Sequence, residues 1–407
     1  MSMDSKVPEI RFKGYSGTWE EKGLGTDVAE IIGGGTPSTS ISEYWDGDID
    51  WYSPTEIGSN VYAEGSQKKI TALGLKSSSA KILPAGNTVL FTSRAGIGDM
   101  AILAKLGATN QGFQSFIVKE GFSPYFLYSA GKQIKEFALK HASGSTFLEI
   151  SGKQLGRMKI FMPRSEEQTQ IGYYFQKLDT LINQHQQRHD KLSNIKKAML
   201  EKMFPKQGET IPEIRFKGFS GEWNEKELNN EVEFFSGLTY SPSDVRNSGT
   251  LVLRSSNVKN GQLIQADNIY VNPEVVNCSN VVEGDIIVVV RNGSRSLIGK
   301  HAQVTSRMDN TVIGAFMTGI RSKQPAFINA LLDTNMFTTE VEKNLGATIN
   351  QITNGSFKSM VFMFPIEDEQ QEIGNYFQKL DALINQHQQQ ITKLNNIKQA
   401  CLSKMFV

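Results

Sequence analysis

The chain has little of what secreted or catalytic proteins usually display. Only two of its 407 residues are cysteine, Cys278 and Cys401. They fall in different kinds of segment, so no disulfide framework is expected and a reducing cytoplasm fits. No stretch approaches the roughly 20 apolar residues of a membrane span, and MSMDSKVPEI has no apolar run of the signal-peptide kind. There are five histidines, and none has metal-ligand spacing to another outside the helical segments. HExxH, paired CxxC and GxSxG are all missing. The run Gly33-Gly34-Gly35 lacks the spacing and Gly-Lys-Ser/Thr ending of a P-loop, so it reads as a turn. With no complete catalytic set, no cofactor and no metal are expected, and the residues favour a binding protein over an enzyme. An excess of positive charge is also missing. Lys plus Arg number 43 against 42 for Asp plus Glu, whereas a nucleic-acid binder is often strongly basic.

What is present is a duplication. Residues 163–204 and 365–406 align without a gap and are identical at about two-thirds of positions. A second echo precedes each copy: PEIRFKGYSGTW (8–19) returns as PEIRFKGFSGEW (212–223). The order is head, body and helix, twice over. The bodies do not match in the same way, which suggests one kind of partner met twice and two different ligands. The expected segments are 1–20 and 207–224 (heads), 21–162 and 225–364 (bodies), and 163–206 and 365–407 (helices).

The copied segments predict long helices of about 37 residues, spanning roughly 55 Å. Apolar or semi-polar residues recur in heptads through Ile171, Leu178, His185, Leu192 and Met199, interleaved with Phe175 and Ile182. The later copy carries Ile373, Phe377, Leu380, Ile384, His387 and Leu394. Sustained heptads indicate a coiled coil. If the helices pair antiparallel, His185 and His387, each inside NQHQQ near its helix midpoint, form a polar layer that fixes register.

The bodies mix β-like runs (49–52, 88–92, 115–119, 285–290) with turns and an amphipathic stretch at 123–141, so the expected class is α+β. Several polar clusters could face a nucleic acid. In the first body these are Thr36, Ser38 and Thr39, then Lys68 and Lys69, then Ser93 and Arg94. In the second they are Arg254, Ser256 and Asn257, then Arg291, Asn292, Ser294 and Arg295. Arg can read guanine bidentately, Asn can read adenine, and Ser, Thr and Lys hold phosphates.

In TPSTSISEYWDGDIDWYSPTEI (36–57), LPAGNTVLFTSRAGIG (83–98), NQGFQSFIV (110–118), and the GSTFLEIS and GATINQIT approaches to the two helices, the chain resembles the specificity subunit of type I restriction–modification enzymes. The resemblance implies two target recognition domains, each reading half of a split double-stranded DNA target. It implies a pseudo-twofold antiparallel helix pair that sets the spacer and docks two methyltransferase subunits. Restriction/translocase subunits would complete the assembly, with methylation on adenine and no chemistry from this chain. The second body departs from the YW and TSRAGIG stretches of the first. Two other classes fit less of the sequence: a coiled-coil scaffold with protein- or sugar-binding bodies, and a nuclease or methyltransferase acting alone.

Overall fold

The computed structural model describes residues 6–407 except 59, 145–147 and 346–349. The Ser143-Gly144-Ser145 turn and the GSTFLEIS and GATINQIT motifs therefore lie partly outside the described residues. The chain forms two compact units. Unit 1 comprises residues 1–186 with 389–407, and unit 2 comprises residues 187–388. Both divisions fall inside long helices. Among the described residues no helix is long and apolar enough to cross a membrane.

Unit 1 contains β1 (Glu20–Gly23), β2 (Ala29–Gly33), β3 (Trp45–Tyr52), β4 (Tyr62–Ala63), β5 (Lys68–Ile70), β6 (Thr88–Phe91), β7 (Met100–Leu103), β8 (Gly107–Thr109), β9 (Gln114–Val118) and β10 (Lys159–Met162). One sheet has the order β2-β9-β6-β7-β4, a second has β5-β3-β8, and β1 pairs with β10. β3 runs antiparallel to β5 and parallel to β8. Helices α1 (Ala72–Lys76), α2 (Pro124–Ser129), α3 (Gly131–His141) and α4 (Gly152–Leu155) complete the body, followed by the 38-residue α5 (Ser165–Lys202). The amphipathic stretch expected at 123–141 is thus two helices, broken where Ala130 leaves helical backbone (φ −75°, ψ 6°).

Unit 2 contains β11 (Asn224–Glu227), β12 (Glu233–Ser236), β13 (Val245–Arg246), β14 (Thr250–Leu253), β15 (Val258–Lys259), β16 (Gln262–Leu263), β17 (Ile269–Val271), β18 (Ile286–Val289), β19 (His301–Gln303), β20 (Thr311–Ile313), β21 (Met317–Arg321) and β22 (Val361–Phe364). Its sheets run β12-β21-β18-β19 and β13-β17-β14-β20, with β11 on β22. Here β14 is antiparallel to β17 and parallel to β20. Despite their dissimilar sequences the two bodies share a core strand order: β2-β9-β6-β7 matches β12-β21-β18-β19 and β5-β3-β8 matches β17-β14-β20, while β4 in unit 1 and β13 in unit 2 are additions. α6 (Pro325–Leu332), α7 (Asn335–Asn344), α8 (Asn354–Lys358) and the 38-residue α9 (Glu367–Lys404) follow.

The heads recur because each does the same three jobs. Arg11 forks onto Glu167 at 2.6 and 2.7 Å, and Arg215 onto Glu369 at 2.7 Å twice. Both carboxylates are buried, so each needs its partner. Phe12 packs edge-on to Tyr174 (5.6 Å), as Phe216 does to Tyr376 (5.9 Å). The head tryptophan enters a four-ring knot. In unit 1 Phe406 meets Trp19 (6.2 Å), Phe126 (5.1 Å) and Phe175 (6.0 Å). In unit 2 Phe204 meets Trp223 (5.8 Å), Phe327 (5.6 Å) and Phe377 (6.1 Å). Burying one such ring contributes about 1.5–3 kcal/mol.

Each knot needs the beginning of one long helix and the end of the other. In unit 1 Tyr174 reaches Cys401 (3.4 Å) and Asp179 reaches Lys398 (2.5 Å). One sequence rises as the other falls, so these helix segments are antiparallel. Ile171, Phe175 and Leu178 share the unit 1 core with Leu394 and Met405. In unit 2 Leu192 and Met199 pack on Ile373, Phe377 and Leu380. Ile182, His185, Ile384 and His387 are half-buried.

Candidate nucleic-acid interface

In unit 1 the expected polar residues converge along one line of contacts. The 33–40 loop is held down by glycines that leave no room: a Cβ at Gly34 would strike the carbonyls of Thr109 and Asn110, and one at Gly35 would strike Ser79 and Ala80. The glycine run is a close-packed turn, and it delivers Thr36 beside Gln111, with which it hydrogen-bonds. Gly112, next in sequence, accepts the N–H of Ser93 (2.7 Å), which fixes the strand immediately before Arg94. At the other end of the loop the Trp45 indole N–H donates to the Ser38 carbonyl (3.1 Å), and Lys68 lies over the Trp45 ring (5.8 Å). Lys69 turns to Asp50 (3.6 Å). Ser38, Thr39, Lys68, Lys69 and Gln111 are exposed, while Thr36 and Arg94 are half-buried.

Ser93 is a correction. It is fully buried, and its backbone serves the frame: its N–H donates to Gly112 (2.7 Å) and its carbonyl accepts from Ile150 (3.1 Å). It places Arg94 and offers nothing to a ligand. Ala95 follows in the left-handed region (φ 52°), an uncommon conformation for a residue with a Cβ.

In unit 2 the loops at the matching strand ends also meet. The Asn292 amide donates to Ser255 Oγ (2.9 Å) and its Oδ1 accepts from the Ser294 N–H (2.9 Å). Asn350 donates to the Gly293 carbonyl (3.0 Å). Arg254 reaches the Asp267 carbonyl (2.5 Å). Arg291 lies over the Phe316 ring at 4.8 Å, and both are exposed. Ser294 and Arg295 are exposed on the same loop; Ser256 is half-buried, with its hydroxyl enclosed and unpartnered.

Asn257 is the second correction. It is fully buried, and its amide is spent on the Ile264 and Ala266 carbonyls (3.2 and 2.8 Å) while its Oδ1 accepts from the Arg254 N–H (2.9 Å). Glu56 does the same work in unit 1, accepting from the Ser53 N–H (2.8 Å) and the Gln67 N–H (2.7 Å). Both residues close the turn after the central strand and are scaffold. Gln111, Trp45, Asn350 and Phe316 were not foreseen. The NQGF motif pointed to the first; the others depend on non-local contacts.

Ionic clamps tie each body to its helices. In unit 2 Lys196 bridges Asp333 (2.7 Å) and Asp381 (2.5 Å), with His301 3.5 Å from Asp333. Burial works against the Lys196 charge, and the two carboxylates more than offset it, holding the ammonium above its ordinary value. Burial also raises the Asp381 carboxyl, against the pull of Lys196. In unit 1 Asp179 takes both Lys398 and the Tyr125 hydroxyl (2.7 Å), and burial with that bond pushes the phenol far above its usual range. Among the described residues no group of three His, Cys, Asp or Glu could hold a metal ion.

Two separate stretches, 16–194 and 220–396, match the family described as the type I restriction modification DNA specificity domain. The chain belongs to that family. It is 25% identical over 411 residues to the type I restriction enzyme MjaIX specificity subunit of Methanocaldococcus jannaschii, covering 95% of this chain and 92% of that one. It is 34% identical over 176 residues to the EcoR124I/EcoR124II specificity subunit of Escherichia coli, covering 41% and 42%. The crystal structure of the type I restriction–modification S subunit from M. genitalium shares the fold, with a TM-score of 0.65 at 14% identity over 98% of this chain and 99% of that one.

Proposed function

We propose that this chain is the DNA-reading subunit of a type I restriction–modification assembly, each body reading one half of a split double-stranded target. The observation that carries this is the pairing of one frame with two sets of side chains. The two bodies share the order of their core strands, yet at matching strand ends one presents Thr36, Arg94 and Gln111 and the other Arg254, Arg291, Asn292 and Phe316. A frame kept while its reading loops change is what two different half-sequences require, because base edges are read by side chains and the backbone only positions them.

The paired helices, 38 residues each, set the gap between half-sites and dock two methyltransferase subunits, with restriction/translocase subunits joining the full complex. His185 and His387 mark the register of that pair. The chain supplies no chemistry of its own and works in the cytoplasm, where the DNA is. Near-neutral overall charge fits a subunit whose partners hold much of the phosphate backbone.

Adenine-methylation mapping in cells with and without the chain tests the reading. Two short elements around a non-specific gap are expected, and exchanging residues 21–162 for another body is expected to change one element only. A continuous motif, or a motif indifferent to the exchange, overturns it. Deleting one heptad from both helices is expected to change the gap and leave both elements intact.

A further inference from the structure

The two bodies part company at one rung of the central sheet. In unit 1 Ser93 donates its N–H to the Gly112 carbonyl (2.7 Å) and accepts from the Ile150 N–H (3.1 Å); in unit 2 Val290 donates to the Phe316 carbonyl (3.1 Å) and accepts from the Ile352 N–H (2.9 Å). The next residues, Arg94 and Arg291, bridge to Glu149 and Gln351. Thr92 faces Phe113 and Val289 faces Met317, and both of those partners are buried. Phe316 therefore stands where unit 1 has Gly112, and its ring is 53% exposed. The Arg291 N–H also donates to the Phe316 carbonyl (3.2 Å), so two residues oppose one and make a bulge. Arg291 lies across the exposed ring at 4.8 Å.

We infer that Phe316, steadied by Arg291, is a wedge that enters the duplex at a base step of the unit 2 half-site, a device unit 1 lacks. This rests on the DNA-reading proposal above. A bare aromatic ring beside the strand end that leads to Asn292 is poorly placed in water, and one more hydrogen-bonding side chain would have served simple base-edge reading. Apolar wedges open base steps and are offset by the contacts that the bent duplex then permits. Arg291 keeps a positive charge against the ring, suited to the negative potential of a groove. The energy needed to open a step depends on the step, and pyrimidine–purine steps open most easily. The unit 2 half-site is therefore expected to contain or border such a step, read through its deformability.

The test uses the full chain assembled with its methyltransferase and short duplexes of the mapped target carrying 2-aminopurine at successive steps. The wild-type complex is expected to raise 2-aminopurine fluorescence at one step of the unit 2 half-site. Phe316→Ala is expected to abolish that signal and weaken binding at least about tenfold, leaving preference at the unit 1 half-site unchanged; Phe316→Leu is expected to keep part of both effects. Replacing the step with a stiffer one should penalise the wild type and not Phe316→Ala. Sequence-specific binding that Phe316→Ala leaves unaltered, or wild-type binding with no fluorescent step, overturns the wedge alone. If the wild-type complex shows no sequence-dependent binding, the DNA reading falls and the wedge with it.

Discussion

The first and second bodies are built on one plan, and the comparison separates frame from reading surface. Positions that hold the frame keep their job, whether or not the residue changes: Glu56 and Asn257 close the same turn, and Lys398 on Asp179 is matched by Lys196 on Asp381. Positions on the loops change their job outright. Gly112 has no side chain where Phe316 presents an exposed ring, and Arg94 is half-buried where Arg291 is exposed over that ring. One exchange on a shared rung is enough to add a contact, so recognition can diverge while the order of the core strands stays fixed.

The sharpest way to break the comparison is at that rung and at the buried ring next to it, since Phe113 follows Gly112. Phe113→Ala is expected to destabilise unit 1 by about 3–5 kcal/mol, as loss of a buried ring does. Phe316→Ala is expected to stay within about 0.5 kcal/mol, because an exposed ring has little packing to lose. Urea unfolding of both variants checks the contrast, and equal losses would dissolve it. Next come the head clamps. Arg11→Ala and Arg215→Ala should each cost about 3–5 kcal/mol, since each strands a buried carboxylate. Adding Glu167→Gln or Glu369→Gln should recover part of the loss, which a double-mutant comparison measures.

A smaller effect distinguishes the clamps. Lys196→Met is expected to cost about 1–3 kcal/mol at pH 7 by leaving Asp333 and Asp381 without their cation. Asp381 already sits above its ordinary value because of burial. An acid raised in the folded state contributes most below its unfolded value, near 4, and that contribution is lost as pH rises through the folded value. The deficit of Lys196→Met should therefore shrink as pH falls from 7 toward 4, as thermal melts at both ends would show. The smallest effect is expected at Ala95→Gly, which relieves left-handed strain and should stabilise unit 1 by about 0.5–1 kcal/mol while loosening Arg94. Melting temperature measures the first effect and binding the second.

Much of this was legible in the sequence. The gapless repeat located both long helices to within four residues at each end, because heptads are local and uninterrupted by proline. The strands at 88–91, 114–118 and 286–289 followed from apolar runs between turn residues. The shared plan of the bodies was not legible, since ladder partners tolerate exchanges such as Val89 for Ile286 and Phe91 for Val288 as long as they stay buried. Ser93 and Asn257 misled for a related reason. A polar residue in a loop reads as available, and only the distant carbonyls and amides it meets show that it is already spoken for.

The order of synthesis follows from how unit 1 is sealed. Unit 2 is one unbroken run, 187–388, whereas unit 1 waits for residues 389–407, made some two hundred positions after the body they close over. On the ribosome the later-encoded lobe can finish first, leaving the earlier one open along the seat of Met405 and Phe406. A frameshift close to codon 390 would consequently spoil the domain translated at the outset and spare the one beside the lesion.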